Sequence, residues 1–178
     1  MGIVIRQSIK GTVVVYVGVV LAFVLNLIIF PLCFEPNEVG LLRVLAELGV
    51  LISAFTSLGI QSSVFKFFPY FQDEKNKHNG FLTLISVIPL IGITVFMLLF
   101  YLFEDTFISI YKEDSPLLSQ YSYLIVPIAF GMMFATIYET YSSANLRIVI
   151  PKILKEILGR LIIILAAVFY FYNYISFS

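Results

Sequence analysis

EPNEVGLLRVLAELGVLISAFTSLGIQSSVFKFFPYF occupies residues 35–71. Acids and Pro36 open it, and Lys66 with a run of aromatics closes it before Pro69. Between them runs an apolar stretch long enough to cross a bilayer. Yet it carries Arg43, Glu47 and Gln61. An ionised side chain at the bilayer centre costs about 2.5–3.5 kcal/mol on insertion scales. A spanning helix that keeps such residues is expected to turn them toward protein or water.

On a helical wheel Arg43, Glu47, Ala54 and Gln61 fall within about 40° of one another. Ala46, Gly49, Ser53 and Ser57 form the adjoining flank, and Leu48, Leu51, Ile52 and Phe55 the opposite side. The spacing of Gly49, Ser53 and Ser57 is the small-residue ladder that lets membrane helices approach closely. Glu47 is expected about 13 Å deep, close to mid-membrane, with Arg43 one turn shallower.

The surrounding chain has the same character. Of its 178 residues, 60% are hydrophobic and 12% charged, and the mean hydropathy is +1.00. Soluble domains average about 25% charged. The apolar residues gather in blocks about 20 long, a membrane pattern. Five spans are expected, at about 11–33, 39–67, 81–103, 119–141 and 152–174, as one all-α transmembrane domain. The first block is too long for a signal-peptide core and reads as a retained span. Residues 107–111 are expected on the membrane surface. Zero net charge gives no reason to expect nucleic acid. The single Cys33 excludes an internal disulfide.

Lysine and arginine set the expected direction. Arg6, Lys10, Lys66, Lys75, Lys77, Arg147, Lys152, Lys155 and Arg160 fall on one side, and only Arg43 and Lys112 on the other. By the positive-inside rule the N-terminus is cytoplasmic.

Each polar residue within a span has more than one reading. Arg43 and Glu47, four apart, neutralise each other, or line a watery cavity, Arg43 for an anion and Glu47 for ion exchange, or Arg43 snorkels to the outer interface. Asn26 suits a helix–helix hydrogen bond. Gln61 and Glu139 read as interfacial or cavity-facing. Arg160 can pair with Glu139 or Glu156, or face an inward cavity. His78, in a polar loop, reads as solvated. The sequence has no P-loop, no zinc-protease motif and no nucleophile elbow, so neither enzyme nor cofactor is expected.

The segment FPLCFEPNEVGLLRVLAELGVLISAFTSLGIQSSVFKFFPYF resembles the N-terminal signature of polysaccharide biosynthesis flippases, in the multidrug/oligosaccharidyl-lipid/polysaccharide exporter superfamily. The matching features are Pro36 through Gly40 and Leu41, the Ser57-Leu58-Gly59 element, and the exit Lys66-Phe67-Phe68-Pro69. The turn at 147–160, with Pro151, Lys152 and Lys155, is also similar. The resemblance implies a bacterial inner-membrane flippase with 12–14 helices in two lobes. It would move undecaprenyl-pyrophosphate-linked sugar units for lipopolysaccharide (O-antigen) or capsule assembly by alternating access. Arg43 best suits contact with the pyrophosphate. Five spans are fewer than one lobe, so this chain is expected to be an N-terminal part that works with a missing C-terminal part. The alternatives are a cation-coupled multidrug exporter of the same superfamily and a non-transporting membrane scaffold.

Overall fold

The computed structural model describes residues 2–73, 76–111 and 115–171. Lys75, Lys112, Glu113, Asp114 and positions 172–174 of the fifth expected span lie outside the described residues. All regular structure among the described residues is helical. Backbone groups in hydrocarbon have no water to bond, and a helix satisfies them within one segment.

Four helices are long and apolar enough to span a membrane: Ile5–Cys33, Pro36–Thr56, His78–Leu102 and Ser122–Ala144. A fifth helix covers 149–171, but every 18-residue stretch of it contains Lys155, Glu156 and Arg160. It therefore does not join the four by composition. The chain divides into two compact units, Met1–Val39 with Asn145–Ser178, and Gly40–Ala144, where the composition suggested one domain.

In the first unit, α1 (Gly2–Val24) continues through a widened π turn (Leu25–Ile29) into Phe30–Cys33. The widening precedes Pro31, whose ring would strike the carbonyl four residues back and which has no N–H to donate. Phe34 is extended, and Glu35, before Pro36, is disfavoured from helix. Pro36 then opens α2 (Pro36–Thr56) at its first position. The Glu35 N–H donates to Glu38 Oε2 at 2.9 Å, capping that start. Glu38 Oε1 accepts a hydrogen bond from the Tyr170 hydroxyl at 3.1 Å, and the Tyr170 ring stacks on Phe34 at 4.8 Å.

The second unit does not hold one straight span over 39–67. The helix α2 ends at Thr56, and α3 runs Ile60–Phe71. Between them Leu58 and Gly59 both have positive φ, 48° and 71°. Glycine takes that conformation freely, but leucine does so only at a cost. After a turn at Lys77–Gly80 come α4 (Phe81–Leu102), the short surface helices α5 (Glu104–Tyr111) and α6 (Pro116–Gln120), and α7 (Ile125–Ala144). The fifth helix, α8, joins Val149–Lys152, a π turn at Ile153–Leu158 and Gly159–Phe171 in the first unit.

Three helices of the second unit each bury a narrow row. On α3 the row is Ile60, Val64 and Phe68; on α4 it is Phe81, Ile85, Pro89 and Ile93; on α7 it is Ile125, Ala129, Met133 and Ile137. The four-residue step is the ridge that packs into a neighbouring groove. Large apolar residues such as Phe55, Leu98 and Ile91 stay exposed. In water such faces would associate or aggregate, whereas in a bilayer they meet lipid.

Candidate functional site: charged and polar positions in the spanning helices

In the first unit, Arg160 and Glu156 form an ion pair at 2.6 Å, with side chains 26% and 22% exposed. Of the partners open to Arg160, Glu156 is the one it takes. The pair is seated on Gly18 of α1. A Cβ there would lie 2.8 Å from Arg160 Nη1, 2.9 Å from Glu156 Cβ and 3.0 Å from Glu156 Oε2. Only a residue without a side chain leaves room. Gly18 lies inside the candidate span Ile5–Cys33, where an unpaired charge is costly. Arg160 Nη1 is itself buried and has no hydrogen-bond partner among the described residues. Two turns earlier on α1, Gly11 faces Lys152, whose Nζ would be 3.5 Å from an added Cβ. Sequence reasoning singled out Arg160 but missed Gly18. The signal was present: Gly11, Gly18 and buried Leu25 recur every seven residues, the repeat of a close-packed seam.

Asn26 lies in the π turn, and its Nδ2 donates to the Ala22 carbonyl of its own helix at 2.8 Å. That bond runs along its own helix and braces the turn that Pro31 widens.

In the second unit, the buried face of α2 is Leu41, Leu45, Gly49, Ile52, Ser53 and Thr56. Gly49, Ser53 and Ser57 of the small flank are buried as the ladder suggests, whereas Ala46 is exposed, and an added Cβ on Gly49 would be 2.6 Å from Ile128 Cγ2. Ile52, placed above on the side opposite the polar residues, belongs to this buried face. Arg43, Glu47 and Ala54 are exposed together. Arg43 and Glu47 stand one turn apart on that face and do not form an ion pair with each other.

Their depth follows from two contacts. Gly92, near the middle of His78–Leu102, lies against the Thr56 carbonyl. Measured from there at 1.5 Å per residue, Arg43 is about 20 Å and Glu47 about 13 Å from the mid-plane. Measured instead from Gly49 against Ile128 and Met132, the values are about 14 Å and about 8 Å. The hydrocarbon half-thickness is about 15 Å. By either count Glu47 lies about 6 Å closer than Arg43 to the middle of the candidate spans.

Gln61 is exposed on α3, beyond the break at 57–59. A wheel drawn through it from Arg43 assumes a continuous helix, so it does not assign Gln61 to the Arg43 face. Glu139 is half-buried in the last part of α7, where its carbonyl accepts the Ser143 hydroxyl at 2.8 Å. His78 departs from the solvated reading. It is half-buried, its ring centroid 5.3 Å from that of Phe68 and 6.3 Å from that of Tyr141, and its Nδ1 accepts the Asp73 N–H at 3.2 Å. Among the described residues no group of three or more His, Cys, Asp or Glu side chains converges as metal ligands would.

The chain matches no family model, no curated protein and no solved structure. What stands is a chain whose described residues are all-α, with four helices long and apolar enough to span a membrane.

Proposed function

We propose that the chain is part of the N-terminal lobe of a 12–14-helix exporter of the bacterial inner membrane. It moves undecaprenyl-pyrophosphate-linked sugar units toward lipopolysaccharide or capsule assembly. The observation that carries a transport reading is the Glu156–Arg160 pair, 2.6 Å apart and seated on Gly18 of the candidate span Ile5–Cys33. Charges kept inside hydrocarbon mark a polar path more often than they add stability. The exposed Arg43 and Glu47 add a second polar face near the outer edge. The substrate class comes from the resemblance of residues 30–71 and 147–160. Arginine suits a diphosphate because its planar fork binds phosphate oxygens in pairs. The polyprenyl tail remains in lipid while the sugars cross among polar groups.

The test is Arg43→Ala and Arg160→Ala in the intact transporter of the native host, reading surface polysaccharide at matched expression. Loss of polysaccharide with both variants supports the reading. Wild-type polysaccharide with both sinks it. A second reading, a cation-coupled drug exporter, is favoured by Glu47, which is exposed and not paired with Arg43, whereas Glu156 is neutralised. Under that reading Glu47→Gln abolishes efflux of cationic drugs and leaves surface polysaccharide unchanged.

A further inference from the structure

The break between α2 and α3 lies deep in the membrane. Thr56, the last residue of α2, is level with Gly92, near the middle of the span that carries α4. Helices interrupted at that depth serve as ion sites or as joints, and the hydroxyls at this one distinguish the two uses. Ser53, Thr56 and Ser57 are all buried. Thr56 Oγ1 donates to the carbonyls of Ile52 at 2.9 Å and Ser53 at 3.3 Å. Ser57 Oγ donates to the Ala54 carbonyl at 3.0 Å. The Thr56 and Ser57 hydroxyls thus serve carbonyls of their own helix end. A cation would have to compete for oxygens already engaged, and no carboxylate is at hand at 53–59 to help it.

The same bonds suit a joint. A helix end that satisfies its own carbonyls can change direction without orphaning a polar group in hydrocarbon. The ladder resumes at once: the Ile60 N–H donates to Ser57 at 2.9 Å and the Ser62 N–H to Gly59 at 3.2 Å. Between the two helices only Leu58 and Gly59 carry the turn. Leu58 is held at φ 48°, a conformation that costs a leucine and that it leaves readily, and its side chain is exposed. Opposite the break, Gly92 presents bare backbone to the Thr56 carbonyl, a smooth bearing with no side chain to interlock. Beyond it, α3 meets the far ends of α4 and α7 through Phe68, whose ring lies 5.7 and 5.8 Å, centroid to centroid, from those of Phe81 and Tyr141.

We propose that residues 57–59 are a hinge, with Gly92 as its fulcrum, about which α3 turns relative to α2. The motion slides Phe68 against Phe81 and Tyr141 and leaves the Gly49–Ile128 contact in place. It does not depend on what the protein transports.

Paired spin labels on the full chain in lipid nanodiscs test this, in a Cys33→Ala background. One pair crosses the break (Val50→Cys with Phe65→Cys, both exposed). The control pair has the same separation within α2 (Gly40→Cys with Phe55→Cys, also exposed). Unbroken helix gives each pair about 22 Å between backbones. The expected result is one narrow distance for the control and two components, or a distinctly broader distribution, across the break. Leu58→Ala with Gly59→Ala should collapse the second distribution toward the first. A distribution across the break as narrow as the control's makes the segment a fixed bend and overturns the hinge.

Discussion

The carbonyl oxygen of Thr56 occupies the space in which a side chain on Gly92 would begin. Two helices meet backbone to backbone there, and the approach sets the level of α2 against α4. Gly92→Ala is therefore expected to force α4 away from the break and to destabilise the unit by about 1–3 kcal/mol. Gly131→Ala is the control, because nothing lies within 4 Å of a Cβ at that position. Thermal unfolding in detergent should show a lower midpoint for the first and an unchanged or higher one for the second. Equal midpoints would mean that the close approach does not hold the helices in register.

In the first unit the comparison is between two glycines one seam apart. A Cβ at Gly18 collides with both members of the ion pair, whereas at Gly11 it would make ordinary contact with Lys152. Gly18→Ala should lower stability and expression, and Gly11→Ala should be nearly neutral. A milder loss for Gly18→Ala in combination with Arg160→Ala than in the wild-type background would show that the clash is with the arginine rather than with the helix backbone. The coupling between the two substitutions, read in a double-mutant cycle, is expected to be about 0.5–3 kcal/mol.

Membrane class and helix positions were legible because hydrocarbon imposes length and apolarity on every span, and both are properties of the sequence. The break at 57–59 was written there too, in Ser57, Leu58 and Gly59, but a wheel assumes a straight helix and runs through it. Serine and glycine are common inside membrane helices, so the triplet has no force without Gly92 opposite it. The face of α2 was half legible. Small Gly49 and Ser53 pointed inward correctly, while Ile52 was placed on the side opposite the polar residues because isoleucine suits either environment. Arg160 stood out by its charge, but its choice of Glu156 over Glu139 depends on packing against Gly18, which only the fold supplies.

The Glu156–Arg160 pair makes an asymmetric prediction. Removing one partner leaves the other charged in hydrocarbon, and breaking a buried pair costs about 3–5 kcal/mol. The side chains are about a quarter exposed, so the lower end of that range is expected for Glu156→Leu or Arg160→Leu alone. Replacing both together removes the charges and the desolvation they required. The double variant should be as stable as the wild type or more so, and more stable than either single variant, by denaturant unfolding in micelles. Additive losses would indicate that the two residues act separately.

Tyr170 ties the end of α8 to the turn between α1 and α2 by two separable contacts. Its hydroxyl donates to Glu38 Oε1 at 3.1 Å, and its ring lies parallel to Phe34, with 6° between the planes. Glu38 has its other oxygen on the Glu35 N–H, so it serves as helix cap and tether at once. Tyr170→Phe removes the hydroxyl and keeps the stack, and should cost about 0.5–1.5 kcal/mol. Tyr170→Ala loses both and should cost more. Glu38→Gln keeps an oxygen to accept but gives up the charge, and should fall near the phenylalanine variant. If hydrogen exchange at the 34–38 turn rises in the order wild type, Tyr170→Phe, Tyr170→Ala, the two contacts contribute separately. If Tyr170→Phe matches wild type, the ring alone holds the turn and Glu38 acts only as a cap.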